Sequence, residues 1–251
     1  MSDPHPPAEV LDHVVDHLHD NPETLKQCCL VSKSWITRTR THLFADIGFP
    51  VPKSLRRWKE TFPDPSSSPA HYAKTLHARC PELLTTADAE VGGLIREFSR
   101  VVHLEVGNSF VDPAYFVLFH GFSPVLKSLH VTVSVPSSLR IFNLILSFPL
   151  LEDLVVFVPI PWDDNDPEED ETPTTNQLSS PPIFTGSLEL HHGKWTKPFT
   201  RRLLSLPGGI HFRKLTLTYM REEDASLVMA LVWECSHSLE SLEISGTRSS
   251  K

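Results

Sequence analysis

His13 and His17 stand one helical turn apart in His13-Val14-Val15-Asp16-His17, a spacing that holds zinc in metalloproteases when a glutamate follows the first histidine. Val14 occupies that place, so a zinc-activated water is not expected. His191-His192 has no companion ligands. Cys28 and Cys29 are adjacent, while Cys80 and Cys235 are isolated; they form neither a disulfide framework nor a CxxC metal pair, which suits a reducing compartment. The acidic stretch Asp163-Asp164-Asn165-Asp166-Pro167-Glu168-Glu169-Asp170-Glu171 could attract a basic segment or a cation. It lacks the glycine turn of a calcium loop and reads better as a solvated loop.

Other chemistries are poorly supported. No phosphate-cradling GxGxxG or GxxxxGK[ST] loop occurs, and Gly92-Gly93 and Gly208-Gly209 read as turns. No nucleophile elbow or HExxH pattern is present, so the chain is not expected to be an enzyme, and no cofactor or metal is expected. Lys194, Lys197, Arg201 and Arg202 surround Trp195, but four cations on a chain of net charge -8 argue against nucleic acid and for a solvated edge. Of that charge, seven carboxylates lie in 163–171, leaving about -1 for the rest.

The 251 residues are 40% apolar and 22% charged, a soluble composition with enough material for more than one structural unit. The start Met1-Ser2-Asp3-Pro4-His5 has no signal-peptide character, and the apolar run Leu150 to Ile160 is broken by charge and proline, so no membrane span is expected.

Residues 1–45 read as three short helices. Val10, Leu11, Val14, Val15 and Leu18 make one apolar face after Pro7, with Asp12, Asp16 and Asp20 outside it. Asn21-Pro22-Glu23 supplies an N-cap, a proline in the first turn and an acid for the helix dipole. The second helix carries Leu25, Cys28, Cys29 and Leu30; Ser32 caps a third containing Trp35, Ile36, Leu43 and Phe44. A unit of about 40 residues is marginal alone, so its surplus apolar surface predicts a partner protein.

The pattern Pro7-x-Glu9-Val10-Leu11-x-x-Val14-x-x-x-Leu18, then Leu25-x-x-Cys28-x-x-Val31-Ser32-Lys33-x-Trp35, resembles the F-box over residues 6–44. Many F-boxes carry leucine before the proline; here Pro6 removes that apolar contact. The resemblance implies docking on the Skp adaptor, and through it the cullin, of an SCF-type ubiquitin ligase. It implies that Pro7, Glu9, Val10, Leu11, Val14, Leu18, Leu25, Cys28, Val31 and Trp35 make or support that contact, some of them from the inside. The chain would then be a client-recognition subunit, cytoplasmic or nuclear. The alternative is a non-catalytic interaction scaffold whose helices merely cap the rest.

Residues 46–70, with Pro50, Pro52, Pro63, Pro65 and Pro69, read as a proline-rich connector holding one short helix around Ser54-Leu55-Arg56-Arg57-Trp58-Lys59-Glu60, with Trp58 packed on a neighbour. From 71 to 251 a Leu-x-x-Leu-x-Leu pattern recurs. Its central leucines, 76, 104, 129, 154, 188, 215 and 242, are separated by 28, 25, 25, 34, 27 and 27 residues. The longest interval holds an acidic loop, 161–182, and leaves the register intact. Leu139–Leu146 and Ser226–Trp233 read as helices returning on the outer side, with Tyr115–Phe119 in the same role; Phe122-Ser123-Pro124 and Phe148-Pro149 mark turns before strands.

This resembles the irregular leucine-rich repeats of F-box receptors, fungal ones especially, without most of the asparagines that usually follow the strand; Gly107-Asn108 is the nearest approach. The expected fold is α/β: a three-helix F-box followed by a leucine-rich-repeat-like solenoid. Strand alternation then turns the motif leucines inward and presents Glu105, His130, Val155, Phe157, Glu189, Thr216 and Glu243 on the concave face as candidate client contacts. Val155 and Phe157 are the apolar pair there. They anchor a client side chain, or Trp162 and the following loop cover them. The chain ends just after the last motif without a capping repeat, so self-association, a client or low stability is expected at that end.

Overall fold

A computed structural model describes residues 7–50, 52–79, 89–107, 119, 122–132, 138–157, 183–191, 196–218 and 224–245. It is a mixed α/β chain with eight α-helices and one open, all-parallel sheet of eight strands among the described residues.

The first three helices are α1 (Ala8–His17), α2 (Pro22–Val31) and α3 (Lys33–Leu43). Both expected caps are made: Asn21 Oδ1 accepts the Thr24 N–H at 3.0 Å with Pro22 in the first turn, and Ser32 Oγ accepts the Ser34 N–H at 3.3 Å. Each satisfies a helix-start donor that would otherwise lack a partner. Val15, Leu25 and Cys28 are buried among these helices, which pack α1 and α2 on α3.

The strands are β1 (Asp46–Gly48), β2 (Thr75–Ala78), β3 (His103–Gly107), β4 (Ser128–Thr132), β5 (Asp153–Phe157), β6 (Ser187–His191), β7 (Lys214–Thr218) and β8 (Ser241–Ser245), lying in chain order. Ile47, Leu76, Leu104, Leu129, Leu154, Leu188, Leu215 and Leu242 fall in one continuous row of partners. The register read from the leucine spacing is therefore kept, across the 34-residue interval included. β1 is an addition: the sheet begins inside 46–70, which was expected to be connector. That stretch also holds α4 (Pro52–Thr61), as expected, and a 3-10 turn at Pro69–Tyr72. Trp58 packs edge-on to Phe44 and Phe49 and beside Phe62 and Phe98.

Six of the eight strands start on a shared acceptor. The Ala45 carbonyl takes the N–H groups of Lys74 and Thr75, Lys74 those of Val102 and His103, Val102 those of Lys127 and Ser128, Lys127 those of Glu152 and Asp153, Gly186 those of Arg213 and Lys214, and Arg213 those of Glu240 and Ser241. At β6 the pattern changes, because Asp153 Oδ1 accepts the Ser187 N–H and hydroxyl, both at 2.7 Å. In the returns, Ser123 donates to the Val101 carbonyl at 2.6 Å and Ser238 to that of Phe212 at 3.2 Å. These bonds satisfy backbone groups without an asparagine ladder.

On the leucine side pack α5 (Ala89–Glu97), α6 (Ser138–Leu146), α7 (Thr196–Leu204) and α8 (Ala225–Glu234), sharing one core with the strands through Ile95, Ile141, Leu144, Phe199, Leu203 and Leu231. The expected helices at 139–146 and 226–233 are α6 and α8. Phe119 is buried, whereas residues 115–118 lie outside the described residues. Phe122 and Phe148, at the two expected turns, are also buried. Gly92-Gly93 lies within α5 rather than in a turn, while Gly208 and Gly209 do turn, with φ of 100° and 72°. Gly107, at φ 109°, has no room for a side chain: a Cβ would come within 1.8 Å of the Thr132 carbonyl oxygen.

Candidate protein-interaction surfaces

The ten residues expected at an adaptor contact separate by burial. Leu25 and Cys28 are interior, so they support the helices and cannot touch a partner. Leu11, Leu18 and Trp35 are half-buried, and Pro7 and Glu9 are exposed. Val10 and Val14, successive on one face of α1, are 52% and 45% exposed, and Val31 at the end of α2 is 71% exposed. Leu30, expected on helix two but not among the contacts, is the most exposed of these at 83%.

A polar tie fixes α1 to α3. Asp16 receives Arg38 Nε at 2.6 Å on one oxygen and Arg38 Nη2 at 2.5 Å on the other, and His42 Nε2 lies 2.7 Å from Oδ1. Hydrogen bonds from Arg38 and then His42 hold the Asp16 carboxyl well below the usual carboxylate range. Nothing local in the sequence signals this, since the partners lie 22 and 26 residues away. His13 and His17 bond to each other, Nε2 to Nε2 at 3.1 Å.

The second surface is the side of the sheet opposite the leucines. Glu105, His130, Val155, Glu189, Thr216 and Glu243 succeed one another strand by strand along one row, and Phe157 stands in the next row beside His191. The structure thus brings all seven expected client contacts onto one face. Two further residues join them. His77 Nδ1 and Arg79 Nη2 each approach Glu105 Oε2 at 2.6 Å, and His77 Nε2 lies 3.1 Å from Asp46.

Burial pushes the Glu105 carboxyl up, but the Arg79 and His77 hydrogen bonds outweigh it and hold the group below its ordinary value. Burial lowers the His130 imidazole, opposed by the fields of Glu105 and Glu189. Further along, His191 lies 2.8 Å from Glu189 and 2.7 Å from the Thr218 hydroxyl, with the Phe157 ring edge-on at 4.7 Å. Val155 and Phe157 are half-buried. The N-terminal part of the face is internally paired; toward β8 it is more open, and Glu243 is exposed with no hydrogen-bond or ion-pair partner among the described residues.

Lys197 pairs with buried Asp224 at 3.4 Å, joining α7 to α8. Trp162, the acidic stretch 163–171, His192, Lys194 and Trp195 lie outside the described residues. Among the described residues no cluster of three or more His, Cys, Asp or Glu could hold a metal ion, and no helix is long and apolar enough to cross a membrane. No protein-family model, no curated protein and no solved structure matches this chain.

Proposed function

We propose that this chain is a client receptor of an SCF-type ubiquitin ligase: α1–α3 form an F-box that docks on a Skp adaptor, and a leucine-rich-repeat-like solenoid from β1 onward holds the client. The observation that carries the reading is the exposure of Val10 and Val14 on α1, which Asp16, Arg38 and His42 tie to α3, and of Leu30 and Val31 at the end of α2. Four large apolar side chains on so small a unit favour a protein partner. Glu105, His130, Val155, Phe157, Glu189, Thr216 and Glu243 are the proposed client row. The receptor holds a client near the charged conjugating enzyme and raises the effective concentration of its lysines, so chemistry belongs to the assembled ligase in the cytoplasm or nucleus.

One observation favours the scaffold reading. The Ala45 carbonyl, one residue past the cap of α3, already starts β2, so the helices also adjoin the first edge of the sheet. Co-purification with a Skp adaptor separates the two. Wild type binds, and Val10→Asp/Val14→Asp, which leaves the interior untouched, loses at least tenfold in affinity. Absence of binding by wild type with native circular dichroism would sink the receptor and leave the scaffold.

A further inference from the structure

His13 and His17 are exposed on α1 and turn their Nε2 atoms toward each other at 3.1 Å, the ring centroids 4.4 Å apart and the planes crossed at 70°. One ring donates its Nε2–H to the lone pair of the other, and neither has a further polar partner among the described residues. Imidazole nitrogen binds zinc at about 2.0–2.1 Å, so two nitrogens held this far apart subtend about 98° at a shared ion. That bite lies between the right angle of square or octahedral coordination and the tetrahedral angle. His19, the next histidine along, is engaged with Asp20 and the Asp16 carbonyl.

The surroundings favour a cation. α1 carries Glu9, Asp12 and Asp16 and neither lysine nor arginine, and Glu9 stands one turn ahead of His13. His17 closes the helix, where the backbone dipole is negative. Asp16 is spent on Arg38 and His42, which hold the backbone that carries the pair against α3. Val15 is the one buried side chain of α1, so a clip across its last two turns would add to thin packing.

We propose that His13 and His17 form a two-point chelate for a divalent transition metal ion of the zinc, nickel or copper class, with water in the remaining positions, and that the bound ion clips α1. Neutral imidazole is the ligand, so the donating ring moves its proton from Nε2 to Nδ1 and both Nε2 lone pairs face the ion. One hydrogen bond gives way to two metal bonds, and a neutral pair releases no proton. Magnesium and calcium, which take oxygen ligands, are not held. With two protein ligands the ion is exchangeable and its role is structural. The chelate does not depend on adaptor docking.

The test is titration calorimetry of the whole chain, without an affinity tag, against cupric, nickel, zinc and magnesium ions, with amide exchange of α1 beside it. Cupric ion binds more tightly than nickel, and magnesium does not bind, the order expected of imidazole nitrogen. His13→Gln and His17→Gln, at exposed positions, each weaken nickel binding roughly tenfold or more, nearly as much as the double variant, because a chelate is lost with either arm. At free nickel about ten times the dissociation constant, protection of α1 amides rises roughly tenfold while that of β4 and β5 is unchanged, and the double variant shows no rise. Absence of nickel and cupric binding, binding that the double variant leaves intact, or a merely statistical loss in each single variant overturns the chelate. Binding that leaves α1 protection unchanged overturns the clip.

Discussion

The three helices and the sheet are held together by different physics. The sheet and its helices share one continuous apolar core that begins at Ile47, in which Phe98, Phe148, Phe184, Phe199 and Phe212 are fully buried. Val15, Leu25 and Cys28 lie outside that core, and α1 reaches α3 partly through a carboxylate. A region that leaves Val10, Val14, Leu30 and Val31 at the surface has fewer large apolar side chains for its own interior, and Asp16 supplies part of what burial does not. The packing of α1 on α3 is thereby made sensitive to acid in a way that the buried aromatic core of the sheet is not.

The largest test of that contrast removes a ring from the sheet. Phe148→Ala costs about 3–5 kcal/mol through lost burial and the cavity left behind, read by urea denaturation. Amide exchange in β4 and β5 quickens while that of α2 and α3 is unchanged; equal acceleration in both regions would mean that they unfold as one unit.

A smaller, local effect comes from acid. Because the folded Asp16 carboxyl is held below its ordinary value, its tie is fully present above about pH 4 and is lost as pH falls through the lowered folded value. The protection of α1 amides, measured against their intrinsic exchange rates at each pH, therefore falls on acidification below about pH 4. Asp16→Asn shows reduced protection already at neutral pH and no further fall in that window. A wild-type α1 whose protection is unchanged in acid would break the comparison.

The smallest effect marks where the sheet tolerates change. Trp58 buries its indole nitrogen without a hydrogen-bond partner among the described residues, so Trp58→Phe removes an unsatisfied donor while keeping most of the ring contact. Its cost stays within about 1 kcal/mol by thermal unfolding. A loss well beyond that would assign the nitrogen a bond.

What could be read beforehand was periodic or local. The leucines at 76 to 242 align because strand alternation and repeat length act on every copy alike, and Asn21 and Ser32 cap because their acceptors sit two or three residues from the N–H groups they serve. β1 escaped because three residues ahead of Pro50 carry no alternation to recognise. α5 escaped because a Gly-Gly pair costs a helix about 1 kcal/mol per glycine, a local preference that the surrounding packing overrides. Among the site residues, the row proposed for a client followed from alternation. The sorting of Leu25 and Cys28 inward and Leu30 outward depends on how three helices lean together, which linear spacing does not contain.

The shared acceptor at the start of six of the strands has a consequence for how such a chain can change over time. Each of these strands is fastened to the residue just ahead of its predecessor, so alignment is inherited from the neighbour and not measured along the chain. Material can then accumulate between two fasteners at slight expense, since each doubling of a loop costs only about 0.6 kcal/mol in closure entropy. The longest interval, between β5 and β6, is also where an aspartate side chain takes over the fastening, and the rows beyond it resume unshifted. Inheritance of alignment leaves lineages free to lengthen or trim what lies between strands while the rows persist.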